Sequence, residues 1–411
     1  MLDASVGALV DDLFRRESSR LVSALVRILG PGNLPLVEDV VQDALQSAMQ
    51  AWRFGPPDDP RAWILQVAKR RAIDHLRKAR RTTSAPDELD VAVEAAFSPE
   101  ADAENQLAMM FAIGDDALSP ETHVTMILRL LCGFSSSEIA RAFLVEVATI
   151  ERRLHRGRAR LRALGALCDI GSKEELRRRQ PSVEYALYLL FNEGYHGSDA
   201  ESPLLPALCA DALRLAELLL QSSAVERSTV HALAALFCFN AARLPARLDE
   251  EGVFVPLAEQ DRSRFDRALF ERGICHLGSS AAGDRLTRFH LEAGIAFEHT
   301  RARSFGETDW ARIVEYYDAL SATSPGPIGG LNRAVALAEL RGLEAGRAAL
   351  ESLGDEPKLA EYSFYWAALA DIERRAGREV EARLLYERAT RFAKSRAERA
   401  SYERRLRELG S

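Results

Sequence analysis

The stretch over residues 134–162, FSSSEIARAFLVEVATIERRLHRGRARLR, constrains the fold more than any other part of the chain. Ser135 is placed to cap a helix, and Glu138 stands three residues on, where a capping box puts it. Ile139, Ala142 and Phe143 then share one apolar face. Leu144, Val145 and Glu146 are short enough to form the turn, and Ile150, Leu154 and Leu161 give the following segment a buried stripe. The remaining faces of that segment carry Thr149, Arg152, Arg153, His155, Arg156, Arg158 and Arg160. The pattern predicts a helix-turn-helix with a basic second helix. In such a motif the first residues of the second helix reach base edges and later arginines hold phosphates. The competing interpretation is an exposed basic helix without a nucleic-acid role.

The rest of the chain also reads as helix. Alternating β-branched runs with hairpin turns are nearly absent, so the predicted class is all-α. Residues 1–81 form a first small helical domain. In it Val37, Val40, Val41, Ala44, Leu45 and Ala48 build an apolar stripe, while Asp39, Asp43, Gln46 and Gln50 recur on another face of the same helix. A breaker-rich loop from Phe54 to Asp58 follows, and Asp59 and Pro60 open the next helix. From Arg61 to Arg81 there are eight basic side chains and one acidic one, Asp74. Residues 82–106 carry seven acidic side chains and no basic ones, the composition of a flexible acidic linker. Residues 107–167 form the second small domain, ending in the helix-turn-helix. Residues 171–300 read as a helical extension and 301–411 as tetratricopeptide-like repeats. The repeat reading rests on LNRAVALAELRGLEAGRAAL and YWAALADIERRAGREVEARLL, whose turn glycines Gly342 and Gly377 lie one repeat apart. Such arrays present surfaces for a protein or peptide partner.

The net charge of −7 is shared almost evenly between residues 1–170 and 171–411, so any DNA contact depends on local clustering of arginine. Five cysteines without a CxxC pair fit a reducing compartment, and neither a secretion signal nor a membrane span is evident, which predicts a cytoplasmic protein. The eight histidines form no HExxH, and there is no GxSxG and no phosphate-binding glycine loop, so no enzyme, metal or cofactor is expected. His290, Glu298 and His299 have no common ligand spacing. Gly194 in the polar run Asn192 to His196 is placed to end a helix, and Arg262, Arg264 and Asp266 read as surface or interdomain ion pairs.

Taken together, EDVVQDALQSAMQAW, DPRAWILQVAKRRAIDHLRKARR and the helix-turn-helix, in that order, resemble a bacterial RNA polymerase sigma factor of the extracytoplasmic-function group. LYLLFNEGYHGS, EQDRSRFDRALFERG and DWARIVEYYDAL are similar to the subfamily with a long tetratricopeptide-like C-terminal extension. The resemblance implies core RNA polymerase and promoter DNA as partners. It implies that Asp39, Gln42, Asp43, Gln46 and Gln50 contact the polymerase. Trp63, Lys69, Arg70, Arg71, Arg77 and Lys78 would open and read the −10 element. Glu146, Ala148, Thr149, Arg152, Arg153 and Arg156 would read the −35 element, while Arg158 and Arg160 would touch phosphates or solvent. Two departures stand out. Many relatives have asparagine at the position of Arg70, and relatives often carry Cys-Cys-His-Pro where this chain reads Ile113-Gly114-Asp115-Asp116. The implied function is a sigma factor whose extension regulates it or recruits a partner. The main rival is a one-component helix-turn-helix regulator with a repeat sensor. A repeat-based interaction protein with incidental basic helices is a further one.

Overall fold

The computed structural model describes residues 13, 17, 19–79, 91, 93–113, 117–143, 145–163, 172–196 and 205–409. These residues are almost wholly helical, and the only β pairing among them is an isolated bridge between Leu248 and Phe254. The chain divides into two compact units, Met1–Leu190 with Glu217–Val225, and Phe191–Ala216 with Glu226–Ser411.

In the first unit, a helical stretch over residues 19–29 precedes α1 (Leu34–Ala51) and α2 (Pro60–Ala79). The stripe expected on α1 is buried at Val37, Val40, Val41, Ala44 and Ala48, and Leu45 is half-buried. Trp52 closes α1 and is almost fully buried, edge-on to Trp63 of α2 with centroids 5.3 Å apart. Asp59 starts α2 by accepting from the Ala62 amide at 2.9 Å.

The segment expected as a flexible linker is in part an ordered helix. Residues 80–90 lie outside the described residues, but α3 (Pro99–Ala112) begins inside the predicted linker. Ser98 caps it by accepting from Ala101 N at 3.2 Å, and Pro99 takes the first turn. Its acids are locally neutralised: Asp102 pairs with Arg20 at 2.7 Å, and Glu94 just upstream pairs with Lys69. Gln106 is buried against Ser19, whose hydroxyl donates to it at 3.0 Å. Val93, Ala96, Met109, Met110 and Phe111 supply apolar burial that the acidic count conceals.

Helices α4 (Pro120–Leu130), α5 (Ser136–Phe143) and α6 (Val147–Ala163) follow, and α7 (Lys173–His196) starts in the first unit and ends in the second. Gly194 does not end α7, which continues to His196. It allows close approach instead: a Cβ there would lie 2.8 Å from the Leu205 carbonyl and 2.9 Å from the Cys209 amide. Both obstacles are backbone, so Gly194→Ala is expected to cost about 2 kcal/mol, read as a lower midpoint for the second unit's unfolding transition.

In the second unit, α8 (Pro206–Leu219, shared with the first unit) leads to α9 (Arg227–Ala242), which is apolar on nearly every side and buried. Helices α10 (Arg267–Ser280) and α11 (Arg288–Arg301) pack on it. Six further helices complete the unit: α12 (Trp310–Thr323), α13 (Pro327–Arg341), α14 (Leu343–Glu351), α15 (Ser363–Arg375), α16 (Glu379–Phe392) and α17 (Arg396–Glu408). Gly342 and Gly377 occupy equivalent turns, α13 to α14 and α15 to α16, with φ of 95° and 76°, conformations that favour glycine. Leu331, Leu350, Leu359, Tyr365 and Ile372 are buried where these two hairpins meet.

Candidate nucleic-acid and polymerase interface

The outward face of α1 carries the polar set named above. Asp39, Gln42, Gln46 and Gln50 are exposed and Asp43 is half-buried. Asp43 lies 4.0 Å from Arg71, too loose a pair to neutralise it. Met49, half exposed on the same helix, was not singled out by pattern because it sits in a polar run. It adds an apolar anchor beside Gln46 and Gln50. The face therefore offers acidic and amide groups around one flexible thioether, suited to a basic partner helix.

Between α1 and α2 lies a cleft of about 520 Å³ lined by Ser47, Gln50, Ala51, Trp63, Val67, Arg70, Arg71 and Asp74. Trp63 turns one edge to Trp52 and remains half-exposed toward the cleft, so it is both packing and surface. Arg70, Arg71 and Arg77 are exposed, Lys69 is held by Glu94, and the side chain of Lys78 lies outside the described residues. An aromatic wall with two guanidinium groups provides what an unstacked base and its phosphate need.

In the helix-turn-helix, the capping box forms as expected. Ser135 Oγ accepts from Glu138 N at 3.2 Å while Glu138 accepts from Ser135 N at 2.7 Å. Ile150, Leu154 and Leu161 are buried, and Gly157 lets α6 approach Met126 of α4. Glu146, Ala148, Arg152 and Arg156 are exposed at the front of α6. Arg152 donates to Thr149 Oγ1 at 3.1 Å, which orients both. Val147, 44% exposed, joins this face and can meet a thymine methyl, a contact type that sequence pattern did not suggest. Leu144 lies outside the described residues.

Two arginines of α6 are engaged inside the protein. Arg153 lies over the Phe143 ring at 5.1 Å, with Nη1 buried. Arg158, expected at phosphates or solvent, instead donates to Glu38 on α1 at 2.6 Å. Both members of that bridge are only 25–30% exposed. The 3-10 turn Pro31–Asn33 also packs against α6. On the other side of the motif, Arg179 of α7 donates to the Phe111 carbonyl at 3.1 Å, and Tyr185 meets Phe143 edge-on at 6.3 Å.

His123 on α4 is buried, bonded through Nε2 to the Met110 carbonyl at 3.1 Å. Burial, with Arg179 adding to it, brings its pKa down to about 4. The folded pKa lies below the unfolded one, so this stability is complete above about pH 6.5 and is lost as pH falls toward 4. The loss should reach roughly 2 kcal/mol by pH 5. Hydrogen exchange at α4 amides checks it: protection relative to intrinsic exchange should fall by up to about 30-fold between pH 7 and 5, and His123→Asn should flatten that dependence.

Among the described residues no group of three or more His, Cys, Asp or Glu side chains is arranged to hold a metal, and no helix is long and apolar enough to cross a membrane.

Comparison with known proteins adds to this geometry. Residues 13–82 match the model of sigma-70 region 2, and residues 116–161 that of sigma-70 region 4. Residues 179–281 match a family of unknown function (DUF6596). An uncharacterized protein of Rhizobium meliloti (strain 1021) is 33% identical over 405 residues, covering 95% of each chain. The probable ECF RNA polymerase sigma factor SigI of Mycobacterium tuberculosis is 25% identical over 161 residues, 37% of this chain and 54% of its own. The RNA polymerase sigma factor CarQ of Myxococcus xanthus is 27% identical over 155 residues, 38% of this chain and 87% of its own. No solved structure gives a significant match.

Proposed function

We propose that this chain, which belongs to the sigma-70 family as an extracytoplasmic-function member with a C-terminal helical extension, binds core RNA polymerase in the cytoplasm and directs it to promoters. Region 2 offers the acidic face of α1 to the polymerase and the Trp63–Arg70–Arg71 cleft to an unstacked base of the −10 element. Region 4 offers Glu146, Ala148, Thr149, Arg152 and Arg156 to the −35 element. The chain transfers no chemical group in this role. The observation that carries the reading is the pairing of an outward acidic stripe on α1 with a capped helix-turn-helix whose Arg152 and Arg156 are exposed. A one-component regulator needs the second feature but has no use for the first.

The extension and the bridge between regions 2 and 4 act as a restraint in this reading. Arg158 covers Glu38 beside the polymerase-contact face, and α7 braces the helix-turn-helix through Arg179 and Tyr185. Regions 2 and 4 must separate to span two promoter elements, so these contacts must break on polymerase. A bridge this exposed is worth about 1 kcal/mol, so it biases the equilibrium without locking it.

The direct experiment mixes the purified chain with sigma-free core polymerase. Co-elution and transcripts from defined promoters are expected. Operator binding without polymerase association would move the assignment to a one-component regulator, and absence of salt-sensitive DNA binding even with polymerase would remove the DNA role.

A further inference from the structure

The second unit holds buried and half-buried guanidinium groups for which no ion pair with a carboxylate appears among the described residues. Arg243 follows α9 and is only 9% exposed; its Nη2 donates to Gln260 Oε1 at 3.3 Å, and its Nε is buried without a partner. Arg262 lies in the 3-10 turn Arg262–Arg264. Its Nη1 donates to the carbonyls of His299 at 2.6 Å and Ala302 at 2.8 Å, while Nη2 is buried and unbonded. His299 Nδ1 and Thr308 Oγ1 are buried and unbonded as well. His299 meets Trp310, two residues past Thr308, edge-on at 5.4 Å. Arg262 is not the surface or interdomain ion pair that sequence pattern suggested.

A third guanidinium, Arg247, lies over the Tyr195 ring at 3.8 Å and donates to the Tyr195 carbonyl. Besides burial, Arg243 lowers the pKa of both Arg247 and Arg262, so these cations feel one another. Burial and the same two arginines, Arg243 and Arg262, bring His299 down to about 3, which keeps its ring neutral. The carboxylates nearby are committed elsewhere. Glu298 and Asp309 hold Arg301, Glu259 holds Arg405, Asp249 holds Arg404, and Asp261 accepts from Ser263. Glu307 is exposed and acts on Arg262 only through space.

Burying unpaired cations and unmet donors is strongly unfavourable, so a fold that keeps several together implies a negative group supplied from outside the chain. We propose that Arg243, Arg262, His299 and Thr308 form a binding site for the phosphate group of a small molecule or of inorganic phosphate. Two guanidinium groups match the charge of a phosphate dianion, and their forks match its tetrahedral oxygens. The hydroxyl of Thr308 and a neutral imidazole N–H supply further donors. A carboxylate has one charge and two oxygens and would leave part of this set unmet. A nucleic-acid backbone is too large to reach Arg243, which is almost wholly enclosed. The approach is past Arg262, which is partly exposed. The site stands independently of the sigma reading, since none of its residues belongs to regions 2 or 4.

Calorimetric titration of the full chain with inorganic phosphate and, in a second arm, phenyl phosphate tests this at constant ionic strength. Saturable binding, one per chain, is expected in at least one arm. Binding of both shows that the phosphate group suffices; binding of phenyl phosphate alone identifies an ester as the ligand. Arg262→Gln and Arg243→Gln should each weaken binding at least about tenfold, while Arg333→Gln, outside the site, should leave it unchanged. In the unmodified chain the bound ligand should shift the His299 imidazole resonance, a readout that does not depend on any variant folding. No saturable binding in either arm, an unmoved His299 resonance, or equal binding in a folded Arg262→Gln variant would overturn the proposal.

Discussion

Asp39→Arg/Asp43→Arg is expected to abolish co-elution with core RNA polymerase, weakening association by at least about 100-fold, because two like charges replace two attractive ones across the interface. The fold should survive. Asp39 is exposed, and Asp43 makes only the loose 4.0 Å contact with Arg71. The core of α1 lies on its opposite face, at Val37, Val40, Ala44 and Ala48. Gel filtration with the polymerase and a thermal melt of the free variant separate the two effects. An unchanged melt with lost association places the contact on α1. Retained association would show that another face binds.

Arg152→Glu/Arg156→Glu should have the second largest effect, about a 100-fold loss of promoter binding by the holoenzyme. Both side chains are exposed, Arg152 in the first half of α6 and Arg156 one turn further on, and Arg152 is preset by Thr149. Arg153, just under one turn before Arg156 and placed over Phe143, should behave differently. Its replacement by alanine removes packing as well as charge, so a lower melting midpoint should accompany any loss of binding. The measurement is filter binding or footprinting across salt concentrations. The charge-reversed pair should flatten the slope against salt, since fewer counterions are displaced. A slope equal to that of the unmodified chain would show that neither arginine faces DNA.

The parts of the molecule that could be read from sequence are those fixed by neighbours in the chain. The capping box of Ser135 and Glu138, the stripe Val37–Val40–Val41–Ala44–Ala48, and the turn glycines Gly342 and Gly377 depend on spacings of a few residues. What sequence left hidden depends on partners far along the chain. The acidic stretch running into α3 looked solvated because Lys69 and Arg20, which pair with its Glu94 and Asp102, lie well upstream. Arg158 looked like a phosphate contact because Glu38 is 120 residues away. Arg262 looked like part of an ion pair because charged side chains usually find one at the surface, and nothing local shows that its carboxylate is missing. Gly194 looked like a helix stop because glycine commonly is one; only the fold shows the Leu205 carbonyl against it.

The tryptophan pair of region 2 gives the molecule an intrinsic optical reporter. Trp52 is enclosed and its indole nitrogen is buried, whereas Trp63 lines the cleft. Their emission therefore comes from unlike surroundings, one dry and one open to solvent. A base entering the cleft would displace water from Trp63 and quench it by stacking, and the Trp52 ring 5.3 Å away would lose emission with it by energy transfer, against a constant background from Trp310 and Trp366. Strand opening could then be followed in real time without a dye, with Trp63→Phe as the silent control.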